Sequence, residues 1–243
     1  MLRRLVAQLG FKAAAKPADP AMNSDGDFPE ILAACSPYTM TSKERMYALY
    51  KSVQYVVKAG ILGDFVECGV WRGGSAMLMA KTLLSMGVTD RTIFLYDTFE
   101  GMSAPSDADK DFTNQIAQTL LDATTQTKET SVWCLANIGD VQRNMASTKY
   151  PAEKIIYVKG KVEDTLPTQI PRAIGLLRLD TDWYESTKHE LIHLYPLLQF
   201  KGVLIIDDYG HWQGCKQAVD EYFCDKPILL SRVDYTGRVA VKA

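Results

Sequence analysis

Apolar positions along this chain follow two different spacings, and each spacing predicts one kind of element. Met46, Leu49, Tyr50, Val53, Val56 and Val57 recur at intervals of three and four, the spacing of a single helix face, and the run stops at Gly60. Thr41 and Glu44 precede it as a capping box, so an amphipathic helix is predicted ahead of the first strand. Short apolar runs follow at 64–68, 92–96, 154–159, 174–179 and 202–206, separated by helical patterns at 75–86, 141–145, 185–198 and 215–223. Such alternation predicts an α/β fold, a mostly parallel sheet covered by helices on both faces. The runs 228–230 and 238–242, on either side of Thr236-Gly237, predict a closing antiparallel pair. Residues 101–130 are polar and rich in Asp and Thr, too long for a plain connection, and read as a lid or partly helical insertion.

Composition narrows the picture. A chain of 243 residues is long enough for one well-buried domain, placed here at 28–243. Residues 1–27 include a stretch rich in Ala, Lys, Pro, Asp and Gly and are expected to be a flexible arm. A net charge of −2 gives no broad positive field, so nucleic acid is not an expected partner. No segment approaches the ~20 apolar residues of a membrane span. The five cysteines show no CxxC spacing, which argues against a disulfide framework or structural zinc; they read as small buried apolar residues of a cytoplasmic protein.

The candidate chemistry lies where the predicted strands end. Each is followed by an acidic or glycine-rich signal, and in open α/β sheets ligands bind along that edge. After the first strand comes Glu67-Cys68-Gly69-Val70-Trp71-Arg72-Gly73-Gly74-Ser75, a turn that allows close approach of a ligand but is neither a dinucleotide nor a nucleoside-triphosphate fingerprint. Glu67 would repel a pyrophosphate and attract a cation, and S-adenosylmethionine carries two positive centres. A tight turn capped by Ser75 is the plainer alternative, and Arg72 would meet either the methionine carboxylate or Glu67. Asp97 ends the second strand, where a carboxylate can accept both ribose hydroxyls of an adenosyl group or of NAD. Glu163 and Asp164 either border an adenine or cap a helix.

Asp180-Thr181-Asp182 and Asp207-Asp208 terminate neighbouring strands and would bring several carboxylates together. Buried negative charge is costly unless compensated, and Mg²⁺, a hard ion that takes oxygen ligands, would compensate it; solvated acids with no metal are the alternative. Asp180, Asp207 and Asp208 are the expected ligands, and Asp182 is the expected general base. His189 and His193 are rival bases, with His211 a better second choice. Trp183, Tyr184 and Trp212 would form either a platform for a sugar face or part of the core.

Five ordered motifs carry a resemblance: Tyr38-Thr39-Met40-Thr41-Ser42, the 65–75 turn, Tyr96-Asp97-Thr98-Phe99-Glu100-Gly101-Met102, the 179–187 segment around Asp180 and Asp182, and Ile206-Asp207-Asp208-Tyr209-Gly210. From about Pro37 to Lys242 the chain resembles the macrocin O-methyltransferase family, whose members methylate deoxysugars of antibiotics. The resemblance implies a Rossmann-like class I methyltransferase fold, S-adenosylmethionine and Mg²⁺ as cofactors, and a homodimer or larger homo-oligomer. It also implies Asp180, Asp207 and Asp208 as metal ligands and Asp182 as base. Glu67, Gly69, Ser75 and Asp97 become cofactor contacts, with Thr39 and Met40 folding over the cofactor. Lys201-Gly202 departs from a usual Gly-Gly turn, and the amino-terminal arm is not family-like. The expected reaction is methylation of a sugar-bearing small molecule. The alternatives are a catechol-like phenol acceptor or a non-catalytic adenosyl-ligand-binding module.

Overall fold

The computed structural model describes residues 20–123 and 133–243. Seven strands form one sheet in the order β3-β2-β1-β4-β5-β7-β6. They are β1 (Asp64–Cys68), β2 (Ile93–Asp97), β3 (Ile155–Lys159), β4 (Ile174–Leu179), β5 (Leu198–Ile206), β6 (Ser231–Arg232) and β7 (Arg238–Val241). The first five are parallel, whereas β7 runs antiparallel to both β5 and β6. Strand order reverses between β1 and β4, which makes the crevice beyond their carboxyl ends the natural ligand site.

The eight α-helices among the described residues are α1 (Phe28–Cys35), α2 (Lys43–Lys58), α3 (Gly74–Ser85), α4 (Ala117–Asp122), α5 (Ile138–Ser147), α6 (Val162–Thr165), α7 (Tyr184–His193) and α8 (Gln213–Tyr222). Side chains of successive strand residues alternate between two cores. Phe65, Leu176, Val203 and Ile205 pack with α1, α2 and α3, while Val66, Leu177, Leu204 and Ile206 pack with α7 and α8. Burial on both faces explains why the central strands read as continuous apolar runs.

Several boundaries differ from the sequence reading for local reasons. The cap of α2 is Ser42, whose hydroxyl accepts from the Arg45 N–H at 3.2 Å; Thr41 instead accepts from Arg178 at 3.1 Å. The single helix expected over 185–198 ends at His193, because Pro196 cannot continue it; a 3-10 turn, Tyr195–Leu197, leads into a β5 that already begins at Leu198. Helix α1 was not predicted, and the last antiparallel pair uses Ser231–Arg232 rather than 228–230.

Residues 20–27, assigned to a flexible arm, are tied down: Pro20–Asn23 form a 3-10 turn, and Asp25 accepts from Tyr47 at 2.6 Å and from Lys51 at 2.9 Å. The rest of the expected arm, 1–19, and residues 124–132 of the expected insertion lie outside the described residues. The described part of the insertion is anchored. Buried Asp109 accepts from the N–H of Ser106 and from that of Tyr184 at the start of α7, and Asp111 bridges to Trp212.

Candidate active site

Register places the functional positions in one row. Cys68 pairs with Tyr96 on one side and Leu179 on the other, and Leu179 pairs with Ile206. The next residue on each of these four strands or strand ends, Asp97, Gly69, Asp180 and Asp207, therefore lies level with the others across the sheet edge. Main-chain bonds continue the ladder to this row: Gly69 N–H donates to Tyr96, Asp180 N–H to Cys68 and Asp207 N–H to Leu179, at 2.8–2.9 Å. Two glycines let the chain close up there. A Cβ on Gly69, whose φ is +82°, would sit 1.9 Å from the Asp180 carbonyl, and one on Gly74 would sit 2.6 Å from the Tyr38 carbonyl.

A cavity of about 430 Å³ opens over this row. Thr39, Met40, Gly69, Ser75, Asp97 and Glu163 line it on the β1–β3 side, and Asp180, Asp182, Asp207 and Asp208 line it on the β4–β5 side. Two expected cofactor contacts do not reach it. Asp164 is exposed on α6, and Glu67 lies beneath the cavity, 1% exposed, where it accepts from Arg178 at 2.6 Å. Burial pushes the Glu67 carboxyl up to about 7 against the pull of Arg178, and its Oε2 receives no hydrogen bond. Asp97 faces the cavity and also holds the turn: its Oδ2 accepts from Val70 N–H at 2.7 Å and Trp71 N–H at 3.0 Å, and Oδ1 accepts from Phe99 N–H at 2.6 Å.

The acidic end is more strongly compensated than the sequence suggested. Asp180, Asp207 and Asp208 bring ligand atoms within 4.8 Å of one another. Arg178 Nη1 lies 2.8 Å from Asp180 and its Nη2 3.0 Å from Asp207, while Arg45 pairs with Asp207 and, at 3.0 Å, with Asp234. Neither arginine was singled out in the sequence. The available signal for Arg178 was a charged residue inside an otherwise apolar strand; Arg45, in the first turn of α2, gave none. Even so, the carboxyls outnumber the guanidiniums. Desolvation and neighbouring carboxylates push Asp180 and Asp208 well above the usual range and Asp182 up to about 7.

Buried Asp208 Oδ2 receives no hydrogen bond at this spot, and Asp207 Oδ1 has only the Arg178 ion pair at 3.0 Å. A hard divalent cation would satisfy both and offset the excess charge, so the donor set fits Mg²⁺. Asp182 adopts a left-handed φ of +68°, next to Asp208 and the Trp212 indole. The strain of that backbone is typical of functional positions.

The remaining candidates separate clearly. His211 lines the cavity, its Nδ1 is 3.1 Å from the Tyr235 hydroxyl, and burial lowers its pKa. His189 and His193 pack tilted against each other on α7, and neither lines the cavity; His189 Nε2 is 3.2 Å from the Leu166 carbonyl. Trp212 lines the cavity and packs edge-on against the buried Trp183, whereas the Tyr184 hydroxyl donates to Glu221. Arg72 meets neither Glu67 nor the cavity; it pairs with Asp140 at 3.1 Å. Of the cysteines, Cys35, Cys68 and Cys215 are buried as expected, but Cys134 lines the cavity and Cys224 is exposed.

Comparison with known proteins gives this geometry a family. Residues 8–240 match the family described as Macrocin-O-methyltransferase (TylF), so the amino-terminal segment, expected to fall outside the family pattern, is within it from residue 8. The chain is 34% identical over 185 residues to demethyldecarbamoylnovobiocin O-methyltransferase of Streptomyces niveus, covering 76% of this chain and 67% of that one. It is 31% identical over 204 residues to mycinamicin III 3''-O-methyltransferase of Micromonospora griseorubida, covering 84% and 75%. Among solved structures it is similar to the O-methyltransferase NovP, with a TM-score of 0.73 and 31% identity over 85% of this chain and 82% of that one. The fold of the calicheamicin methyltransferase CalS11 is also similar, with a TM-score of 0.60 at 18% identity over 99% and 85%. The sheet order, the row of strand-end residues and these matches together show that the chain belongs to the macrocin O-methyltransferase family and is an O-methyltransferase.

Proposed function

We propose that this enzyme transfers the methyl group of S-adenosylmethionine to a sugar hydroxyl in a Mg²⁺-dependent reaction. The observation that carries the reading is the convergence of Asp180, Asp207 and Asp208 at one end of a cavity whose other end is the Gly69–Ser75 turn and Asp97. The amino end of α3 offers N–H groups to the donor's carboxylate, and Asp97, whose Oδ2 is filled by Val70 and Trp71, keeps a lone pair on Oδ1 for a ribose hydroxyl. Thr39 and Met40 would cover the donor, and Glu163 would border its adenine.

Asp180, Asp207 and Asp208 would hold the metal. When bound, the ion supplies Lewis acidity that lowers the pKa of the acceptor hydroxyl. Asp182 takes the hydroxyl proton as the new O–C bond forms and the C–S bond of the donor breaks, leaving S-adenosylhomocysteine. Alignment of the acceptor oxygen behind the methyl carbon supplies much of the acceleration. The names of the relatives, one acting on demethyldecarbamoylnovobiocin and one on the 3'' oxygen of mycinamicin III, support a sugar acceptor over a phenol.

Among the described residues no helix is long and apolar enough to cross a membrane, which is compatible with the cytoplasmic setting we propose. Assembly as a homodimer or larger oligomer belongs to the same proposal, and light scattering in solution tests it. The main test is an acceptor screen with methyl-labelled S-adenosylmethionine, run with Mg²⁺ and with a chelator. Label should appear in sugar hydroxyls and vanish on chelation. Turnover indifferent to the chelator would remove the metal from the mechanism.

A further inference from the structure

A second hollow of about 310 Å³ adjoins the acidic end of the cavity, and His211, Trp212 and Tyr235 line both. Its chemistry is the reverse of its neighbour's. Lys216, Arg232 and Arg238 line it, and no carboxylate does. Lys216 is paired with Asp220 on its own helix. Arg232 and Arg238 have no carboxylate partner among the described residues: Arg232 donates to the Asp234 carbonyl at 2.7 Å, and Arg238 donates to the carbonyls of Thr236 and Gly237.

Arg232 and Arg238 are also direct register partners across the β6–β7 ladder. Residues opposite each other on an antiparallel pair project to the same side, and like charges so placed destabilise the pair. Their carbonyl bonds, and the Arg238 guanidinium 4.8 Å over the Tyr209 ring, fix the two side chains without neutralising their charge. An anion held between the two guanidiniums would offset the repulsion and use their bidentate donor geometry. Exposed aromatic faces complete the surroundings. Phe112 is 61% exposed and Tyr235 53% exposed, their ring centroids 6.1 Å apart at the mouth of the hollow. Cations beside open aromatic rings suit a phosphate attached to a stacking base. A neutral aglycone would use the rings and leave the arginines unanswered.

We propose that the hollow lined by Arg232, Arg238 and Lys216 binds the phosphate groups of the acceptor, so that the enzyme acts on a nucleoside diphosphate sugar before the sugar is transferred. The proposal rests on the sugar-methylation reading and narrows it. It implies that a glycosyl transfer consumes the methylated product.

The test has two readouts on the full-length chain. The first is calorimetric titration with thymidine diphosphate, uridine diphosphate and inorganic phosphate, without divalent metal, using wild type and the Arg232→Ala/Arg238→Ala double variant. Both nucleotides should bind wild type and weaken tenfold or more in the double variant and on raising the salt, with inorganic phosphate weaker than either. Phosphate binding as tightly as the nucleotides would overturn the nucleotide assignment. The second readout compares methyl transfer to nucleoside diphosphate sugars and to neutral glycosides. Nucleotide sugars should be preferred, and the double variant should raise KM for them at least tenfold with little change in kcat. Failure of both nucleotides to bind, or an equal KM in wild type and double variant, overturns the proposal; if neutral glycosides are then methylated, the sugar-methylation reading survives. Absence of S-adenosylmethionine binding in a separate titration would instead sink that broader reading.

Discussion

A general base must be ionised to take a proton, yet burial, with Asp180 and Asp207 close by, favours the neutral form of Asp182. A cation on the neighbouring carboxylates reverses that balance by neutralising the charges that repel ionisation. Asp182→Asn keeps the shape and removes the proton acceptor. It should lower kcat about 100-fold or more while donor affinity, read by calorimetry, stays within about threefold. Arg178 is the opposite kind of residue, a buried charge whose partners Glu67, Asp180 and Asp207 hold it protonated despite its desolvation. Arg178→Met leaves those carboxylates without their counter-ion. It should cost about 3–5 kcal/mol in denaturant unfolding, and more metal should recover part of the loss.

At the level of elements, the amino end of α2 and the β6–β7 hairpin are clasped by one side chain. Asp234 accepts from the Ser42 hydroxyl at 2.7 Å, Arg45 Nε at 3.0 Å, and the N–H groups of Thr236 and Gly237. Burial alone would raise its pKa, but these donors hold it below the ordinary 3.8. A carboxylate with a depressed folded pKa contributes stability that is present above the unfolded value and lost as pH falls through the folded one. Asp234→Asn should therefore cost about 1–3 kcal/mol near neutrality, and the difference between the two proteins' unfolding curves should shrink only as pH falls below 3.8. A second element-scale expectation concerns the bend in β5, where Lys201 holds a left-handed φ of +66°. A side chain is strained there, and Lys201→Gly should raise stability by about 0.5–1 kcal/mol in the same assay. A loss would show that the Lys201 side chain makes a compensating contact.

Across the whole molecule, charge is unevenly spread at the carboxyl edge of the sheet: acids cluster at β4 and β5 around Arg178 and Arg45, and Arg232 and Arg238 lie one hairpin away. A net charge of −2 hides both. Because the carboxylates proposed to hold the metal follow two different strands, ion binding should stabilise the fold as a unit. Magnesium at about 100 times its Kd adds about 2.7 kcal/mol by mass action, visible as a rise in Tm. Asp208→Asn should abolish most of that rise. An equal rise in the variant would mean that the ion sits elsewhere.

The alternation of strand and helix, the helix face from Met46 to Val56 and the acids immediately after β4 and β5 are properties of neighbouring residues, and the sequence by itself determined them. Burial of the sheet on both faces makes such strands apolar throughout, and that is visible without coordinates. What only the tertiary structure decided is pairing between distant segments. Register set Asp97, Gly69, Asp180 and Asp207 level; chain crossing brought Arg45 to Asp207 and Thr41 to Arg178; the hairpin put Arg232 opposite Arg238. The reason is electrostatic and geometric. The cost of a buried charge depends on what lies within a few ångströms in space, and local sequence patterns do not carry that distance. For the same reason Glu67 read as an open anion in the sequence and sits in the fold as the covered partner of Arg178.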